Sequence, residues 1–247
     1  IRKPAGLAVQ SAGIGQPDVV SELKSHLAKL PGAGRTGKGE PYLGIVHRLD
    51  QPVEGLLVFA KDKKAAAALS KQLTEGALNK HYYAVLCGYP DCPEGDLVDY
   101  LRKEGNVAVG GAGRGKEIGD GEQEFADAKI AVLHYRILEE INAPSPLALA
   151  DVTIGTGRFH QIRVQFAHAG FPLFGDTKYG TAVLKEAMSA QKYRGVALCA
   201  YSLELVHPVS GKKMGFRVVP KNPAFAGFAM EELKKLTENE TGISKRG

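Results

Sequence analysis

Two periods of hydrophobic spacing divide this chain. Over 18–30 ("DVVSELKSHLAKL"), Val19, Val20, Leu23, Leu27 and Leu30 recur at helical spacing, with Pro17 before them and "PGAG" after. That pattern predicts an amphipathic helix. "KDKKAAAALSKQLTEG" consists largely of strong helix formers and ends at Gly76, "FHQIRVQFAHAG" reads as a helix stopped by Gly170, and 225–236 as a further amphipathic helix. Strands are predicted at 45–46, 56–60 and 81–87. An extended pair follows at 129–141 and 147–154, joined through "NAPSP", and a hairpin pairs 203–206 with 214–218 around "HPVSGKK". From 97 to about 120 the Gly-rich, charged text ("GNVAVGGAGRGKEIGDGE") reads as a mobile surface connection. Strands outnumber helices without alternating strictly with them. The expected class is therefore α+β, with a mixed, largely antiparallel sheet and flanking helices. One domain is expected over 1–237, followed by a flexible tail at 238–247.

Composition narrows the class of protein. The 247 residues are 44% hydrophobic and 24% charged, as in ordinary globular proteins. No run approaches the roughly 18 apolar residues that span a bilayer, and the N-terminus lacks the apolar segment of a secretory signal, so the expectation is a cytoplasmic protein without a membrane partner. The three cysteines, Cys87, Cys92 and Cys199, are odd in number and lack metal-ligand spacing. They read as packing residues, with no disulfide framework and no metal site. Lys and Arg number 32 against 27 Asp and Glu, and the pI is near 9.0, which leans toward an anionic partner such as nucleic acid and leaves a mildly basic small-molecule enzyme open.

Three segments carry candidate chemistry. "GAGRTGKG" (32–39) fits the frame of a phosphate-binding loop with Lys38 as its lysine, but Gly39 occupies the magnesium-binding position and the segment follows a helix rather than a strand. It reads as a flexible connection. "HRLD" (47–50) sets a charged turn between two apolar runs, and "TGRFHQIR" (156–163) places two arginines and a histidine around a helix N-terminus, where free amides and the dipole favour an anion. Two cationic clusters suggest a phosphodiester ligand. In "NKHYYAV", Tyr82 and Tyr83 are consecutive on a strand, so they face opposite sides.

Five ordered motifs resemble the RluA-type family of RNA pseudouridine synthases: "KPAGLAV" (3–9), "HRLD" (47–50), "KHYYAV" (80–85), "TGRFHQIRVQFAHAGFPLFGDTKYG" (156–180) and "LCAYSLELVHPVSGK" (198–212). The resemblance implies the pseudouridine synthase fold with a central catalytic cleft, and isomerisation of uridine in a structured RNA, rRNA or tRNA, with the base flipped out. It implies Asp50 as the catalytic aspartate, Tyr82 as the active-site tyrosine and Arg163 as the aspartate's basic partner. Lys3, His47, Arg48, Arg158, His160 and Gln161 are the implied RNA-binding residues, and Arg48 the arginine that holds the flipped nucleotide. No metal or cofactor is implied, because the reaction is not a net oxidation and adds no group, and a monomer is expected. Two positions depart from the family pattern: "QPVEG" puts Val53 and Glu54 where a Thr-Ser-Gly step is common, and Phe159 replaces the usual Thr. The chain begins at Ile1, directly before the first motif, so an upstream strand is expected outside it and recognition is expected to rest on the catalytic domain. Two other readings compete: a nucleotide hydrolase using Lys38, and a catalytically silent RNA-binding module that does not use Asp50.

Overall fold

A computed structural model describes residues 1–11, 13, 15–30, 40–112, 127–142, 145–181 and 195–230. The 32–39 loop, the part of the expected 225–236 helix beyond 230, most of the glycine-rich segment past 112 and the 238–247 tail lie outside these; at 225–230 the chain leaves a short 3-10 turn, Pro223–Phe225, and does not start the expected α-helix. The elements begin with β1 (Arg2–Lys3), α1 (Val19–Lys29), β2 (Gly44–Ile45), β3 (Glu54–Leu56), β4 (Phe59–Ala60) and α2 (Lys63–Thr74). There follow β5 (Asn79–Cys87), β6 (Glu94–Glu104), β7 (Val107–Ala112), β8 (Lys129–Asn142), β9 (Pro146–Ile154), α3 (Gln161–His168), β10 (Leu198–Val206) and β11 (Lys213–Arg217). Among the described residues they form two compact units, Ile1–Lys80 with Cys199–Pro220, and His81–Leu198 with 221–230.

In the first unit both predicted helices form, and each starts at an aspartate. Asp18 accepts from the Ser21 amide at 2.7 Å and Asp62 from the Ala65 amide at 2.8 Å, satisfying amides that have no partner inside the helix. Gly76 ends α2 with a φ of 71°. The strand predicted at 56–60 is split. β3 pairs antiparallel with β1 and parallel with β10, whereas β4 pairs with β2. The break falls where the Val58 amide donates to His47 Nε2 instead of a neighbouring strand. Leu56, Leu203 and Leu205 from the strands and Leu69 from α2 meet in one apolar cluster with Val46 and Leu78. Gly55 makes the parallel pairing possible: its φ is 131°, and a Cβ there would lie 2.4 Å from the Ala200 carbonyl oxygen.

The second unit carries an antiparallel sheet in the order β5-β9-β8-β6-β7. Across both units, therefore, pairing is mixed and largely antiparallel, as the α+β reading required. The segment read as a loose surface connection is instead, through residue 112, the β6–β7 hairpin, turned at Gly105 with a φ of 54°. Alternation overrides composition here: Asp99 and Leu101 point inward, and Leu101 and Ala108 pack with Ala131 and with Val164 of α3. The glycines fit the same hairpin, since a Cβ on Gly110 would fall 2.3 Å from the Tyr100 carbonyl oxygen. Phe166 of α3 meets Tyr135 of β8 edge-on, with ring centroids 5.6 Å apart.

Gly55→Ala should destabilise the protein by about 3 kcal/mol or more, because side chain and backbone cannot both be accommodated. Gly76→Ala, at a positive φ with open space around it, should cost about 1 kcal/mol. Chemical denaturation of the two variants, with equal losses as the refuting result, checks the close approach of β3 and β10.

Candidate active site

The first cluster is the turn between β2 and β3. It is closed by the Val53 amide donating to the Asp50 carbonyl at 3.1 Å and tied to the N-terminal segment by the Gly6 amide donating to Gln51 O at 2.8 Å. Lys3 lies beneath it. Its Nζ donates to the carbonyls of Pro4 at 2.9 Å, Leu7 at 2.7 Å and Gln51 at 3.1 Å, and the side chain is 0% exposed. Lys3 was expected among the phosphate-contacting cations. With its three donors turned inward, it anchors the turn instead. Burial lowers its pKa to about 8, and the negative charges of Asp50 and Glu54 oppose that shift.

His47 is likewise not a surface contact for RNA. It is buried, its Nε2 accepts from the Val58 amide at 3.4 Å, and desolvation together with the nearby Lys80 and N-terminal charges lowers its pKa to about 3. A neutral imidazole in this position holds the backbone. Arg48 is exposed and donates through Nη2 to Gln10 Oε1 at 3.0 Å, while Asp50 is half-buried at the end of the motif. Glu54, one of the departures from the family pattern, is buried and ion-paired to Arg2 at 2.9 Å. Its charge is used inside the β1–β3 pairing.

The second cluster belongs to the other unit. His160 precedes α3 in the left-handed region, with a φ of 53°, a conformation that costs a non-glycine residue of order 1 kcal/mol or more. It is held by Tyr179, whose hydroxyl lies 2.7 Å from His160 Nδ1 and accepts from the Ala108 amide at 2.7 Å, and by stacking on Phe159 at 3.8 Å between ring centroids. Gln161, expected to bind RNA, is buried and committed to the backbone. Its Oε1 accepts from the Arg158 amide and the Thr156 hydroxyl, and its Nε2 donates to Val132 O at 3.0 Å. Arg158 is half-buried, with Nε donating to Ile130 O at 3.0 Å. Arg163 is buried in a bidentate pair with Asp176, Nε to Oδ2 at 2.7 Å and Nη2 to Oδ1 at 2.9 Å, the geometry that orients a guanidinium most strictly. Asp176 and Tyr179 were not singled out from the sequence, although both stand in the "GDTKYG" end of the long motif. Tyr82 and Tyr83 are both buried on β5, opposite Val152 and Asp151.

Thus His47, Arg48 and Asp50 share one turn with Lys3 donating to it from β1, and Arg158, His160, Gln161 and Arg163 share one loop and helix start. Residues 1–168 match the family described as RNA pseudouridylate synthase. The chain belongs to the RNA pseudouridylate synthase family. Among its relatives in this family, the ribosomal large subunit pseudouridine synthase D of Zymomonas mobilis is 34% identical over 87% of this chain and 64% of its own length. The Pseudomonas aeruginosa protein of the same name is 33% identical over 87% of this chain and 62% of its own length. The chain thus spans about three fifths of the length of these relatives. In fold it is similar to human RNA pseudouridylate synthase domain containing 1, with a TM-score of 0.69 and 18% identity over 95% of this chain and 88% of that one. For human RNA pseudouridylate synthase domain containing 4 the values are 0.62 and 24%, over 89% and 84%. Among the described residues no helix is long and apolar enough to cross a membrane, and no group of three or more His, Cys, Asp and Glu could hold a metal ion.

Two outcomes follow from the buried ionisable groups. The unfolded chain protonates His47 near pH 6.5, while the folded one refuses the proton down to about 3. The stability contributed here is therefore full above 6.5 and is lost as pH falls toward 3. Between pH 7.5 and 5.0 the wild type should lose about 1–2 kcal/mol more than His47→Gln in urea titrations, and parallel losses would refute a neutral His47. Asp176→Ala removes the buried bidentate pair with Arg163 and should cost about 3–5 kcal/mol, measured by denaturant unfolding. A loss below 1 kcal/mol would show that the pair contributes little.

Proposed function

We propose that this chain isomerises uridine to pseudouridine in a structured RNA, rRNA or tRNA, with Asp50 as its catalytic carboxylate. In this reaction the N1–C1′ bond of the nucleotide breaks, the base turns within the site, and a C5–C1′ bond forms while the proton leaves C5 and N1 gains one, so atoms and electrons balance without a cofactor or metal. As the base departs, positive character develops on the ribose. An ionised carboxylate fixed beside C1′ stabilises that charge or bonds to it covalently. The observation that carries this reading is the "HRLD" turn in a chain of this family: Asp50 ends it half-buried, on a loop held from below by Lys3.

The remaining roles follow the family resemblance. Tyr82 serves as the active-site tyrosine, against whose ring an extruded base can stack. Arg163, oriented through one edge by Asp176, serves as the basic partner of the catalytic aspartate that the family resemblance implies. Arg48, Arg158 and His160 are the proposed RNA contacts, with Lys3, His47 and Gln161 supporting them from within. The two relatives' names favour ribosomal RNA of the large subunit as the substrate. An RNA of this kind makes the cytoplasm the proposed compartment, and a monomer is the proposed state.

Asp50→Asn preserves shape and removes charge. It should lower turnover by about 10³-fold or more while RNA affinity changes less than about threefold. Purified wild type and variant, incubated with large-subunit rRNA fragments and read by pseudouridine mapping alongside filter binding, decide the matter. Appreciable pseudouridine from the variant would remove Asp50 from the chemistry, and a wild type that binds RNA but modifies no uridine would leave only an RNA-binding module.

A further inference from the structure

In the second unit the β6–β7 hairpin is tied to the loops on either side of α3, and the ties carry positive charge. Lys103 stands across the ladder from Ala108 and two residues beyond Leu101, which packs against Val164, so its side chain leaves β6 on the face that α3 covers. Its Nζ lies 4.8 Å from the centroid of the Phe159 ring, a cation–π contact, and the same ring stacks on His160. Lys178 reaches the hairpin from the other loop, donating through Nζ to Asn106 O at 2.5 Å, while the Tyr179 hydroxyl takes the Ala108 amide. Lys103 is thereby joined to the loop that carries Arg158 and His160.

These cations are not neutralised from within. Among the described residues none of Lys103, Arg158 and Lys178 forms an ion pair, whereas Arg102, next to Lys103 on the opposite face of β6, is paired with Glu104, and Asp176 is committed to Arg163. Phe159 is 37% exposed, so burial alone does not account for a large apolar ring here. What the ring does is hold an ammonium. A surface lysine swings on a flexible four-carbon stem, and fixing it before a ligand arrives lowers the entropy lost on binding. The Thr that is usual at this position in the family has no ring with which to do so.

From the cation–π contact and the absence of carboxylate partners, we propose that Lys103 contacts an RNA phosphate and that Phe159 is the residue that positions it, an inference that rests on the RNA substrate proposed above. The phosphate-binding surface then extends from Arg158 and His160 onto the β6–β7 hairpin. Lys178, whose Nζ holds the turn of that hairpin, fixes the strand from which Lys103 projects.

The test is filter binding of the full chain to a uridine-containing stem-loop of large-subunit rRNA across salt concentrations, with pseudouridine mapping on the same RNA. Lys103→Gln should weaken binding about threefold and make the slope of log affinity against log salt shallower by about 0.7–0.9, one phosphate contact, while Lys103→Arg keeps both. Lys71→Gln, which removes a lysine already paired with Glu75, is the control and should leave the slope unchanged. Phe159→Thr should lower affinity roughly two- to fivefold with Lys103 present and less than about 1.5-fold in the Lys103→Gln background, and Phe159→Tyr, which keeps a ring, should bind as the wild type does. A slope change for Lys103→Gln no larger than that for Lys71→Gln overturns the phosphate contact. An equal effect of Phe159→Thr in both backgrounds overturns the positioning role. A wild type that binds this RNA but modifies no uridine would remove the proposed reaction and leave the salt comparison to decide Lys103, whereas a wild type without RNA affinity would overturn both.

Discussion

A buried ammonium must be met by oxygen, and in the first unit that requirement fixes the position of the proposed catalytic turn. Lys3 has no access to water and draws the carbonyls of Pro4, Leu7 and Gln51 toward one nitrogen. The first two belong to the N-terminal segment and the third directly follows Asp50. Segments nearly fifty residues apart are thus held to one point, with the β1–β3 ladder and the Arg2–Glu54 pair beside it. Removing the charge would free three carbonyls at once, so the cost of losing Lys3 is shared by every loop around the carboxylate.

The elements with strong local signals were legible in the sequence. Asp18 and Asp62 stand where helix caps belong, the glycines after α2 and α3 stop their helices, and the β8–β9 pair and the β10–β11 hairpin follow from apolar runs around turn residues. The β6–β7 hairpin was not. Its glycines and charges resemble those of a loop, and only its neighbours reveal that Gly110 is needed where the Tyr100 carbonyl approaches. The split between β3 and β4 was equally hidden, because it depends on a histidine side chain taking the amide of a residue 11 positions further along the chain.

The charged residue types of the candidate site were legible in the sequence, and their contacts less so. "HRLD" and "TGRFHQIR" both proved to be organised around a single element, yet Lys3, His47 and Gln161 turned out to serve backbone rather than solvent. Sequence cannot distinguish a cation aimed at phosphate from one aimed at carbonyls, since both need the same donors. Asp176 and Tyr179 passed unnoticed for the converse reason. Each acts on another side chain, Asp176 on Arg163 and Tyr179 on His160, and such service leaves no spacing of its own.

The parallel pairing of β3 with β10 has a bearing on how the chain is made. Glu54 meets Cys199 across roughly 145 residues of intervening chain, and closing a loop of that length costs about 4 kcal/mol of chain entropy. During vectorial synthesis the first eighty residues leave the ribosome long before their partner strand exists, whereas the second unit is almost continuous in sequence. Residues 81–198 can therefore form their sheet while the earlier segment waits with the β10-facing edge of β3 open. The inability of Gly55 to carry a side chain is then a constraint on the final step of assembly, when an already emerged strand must admit a late one at van der Waals distance.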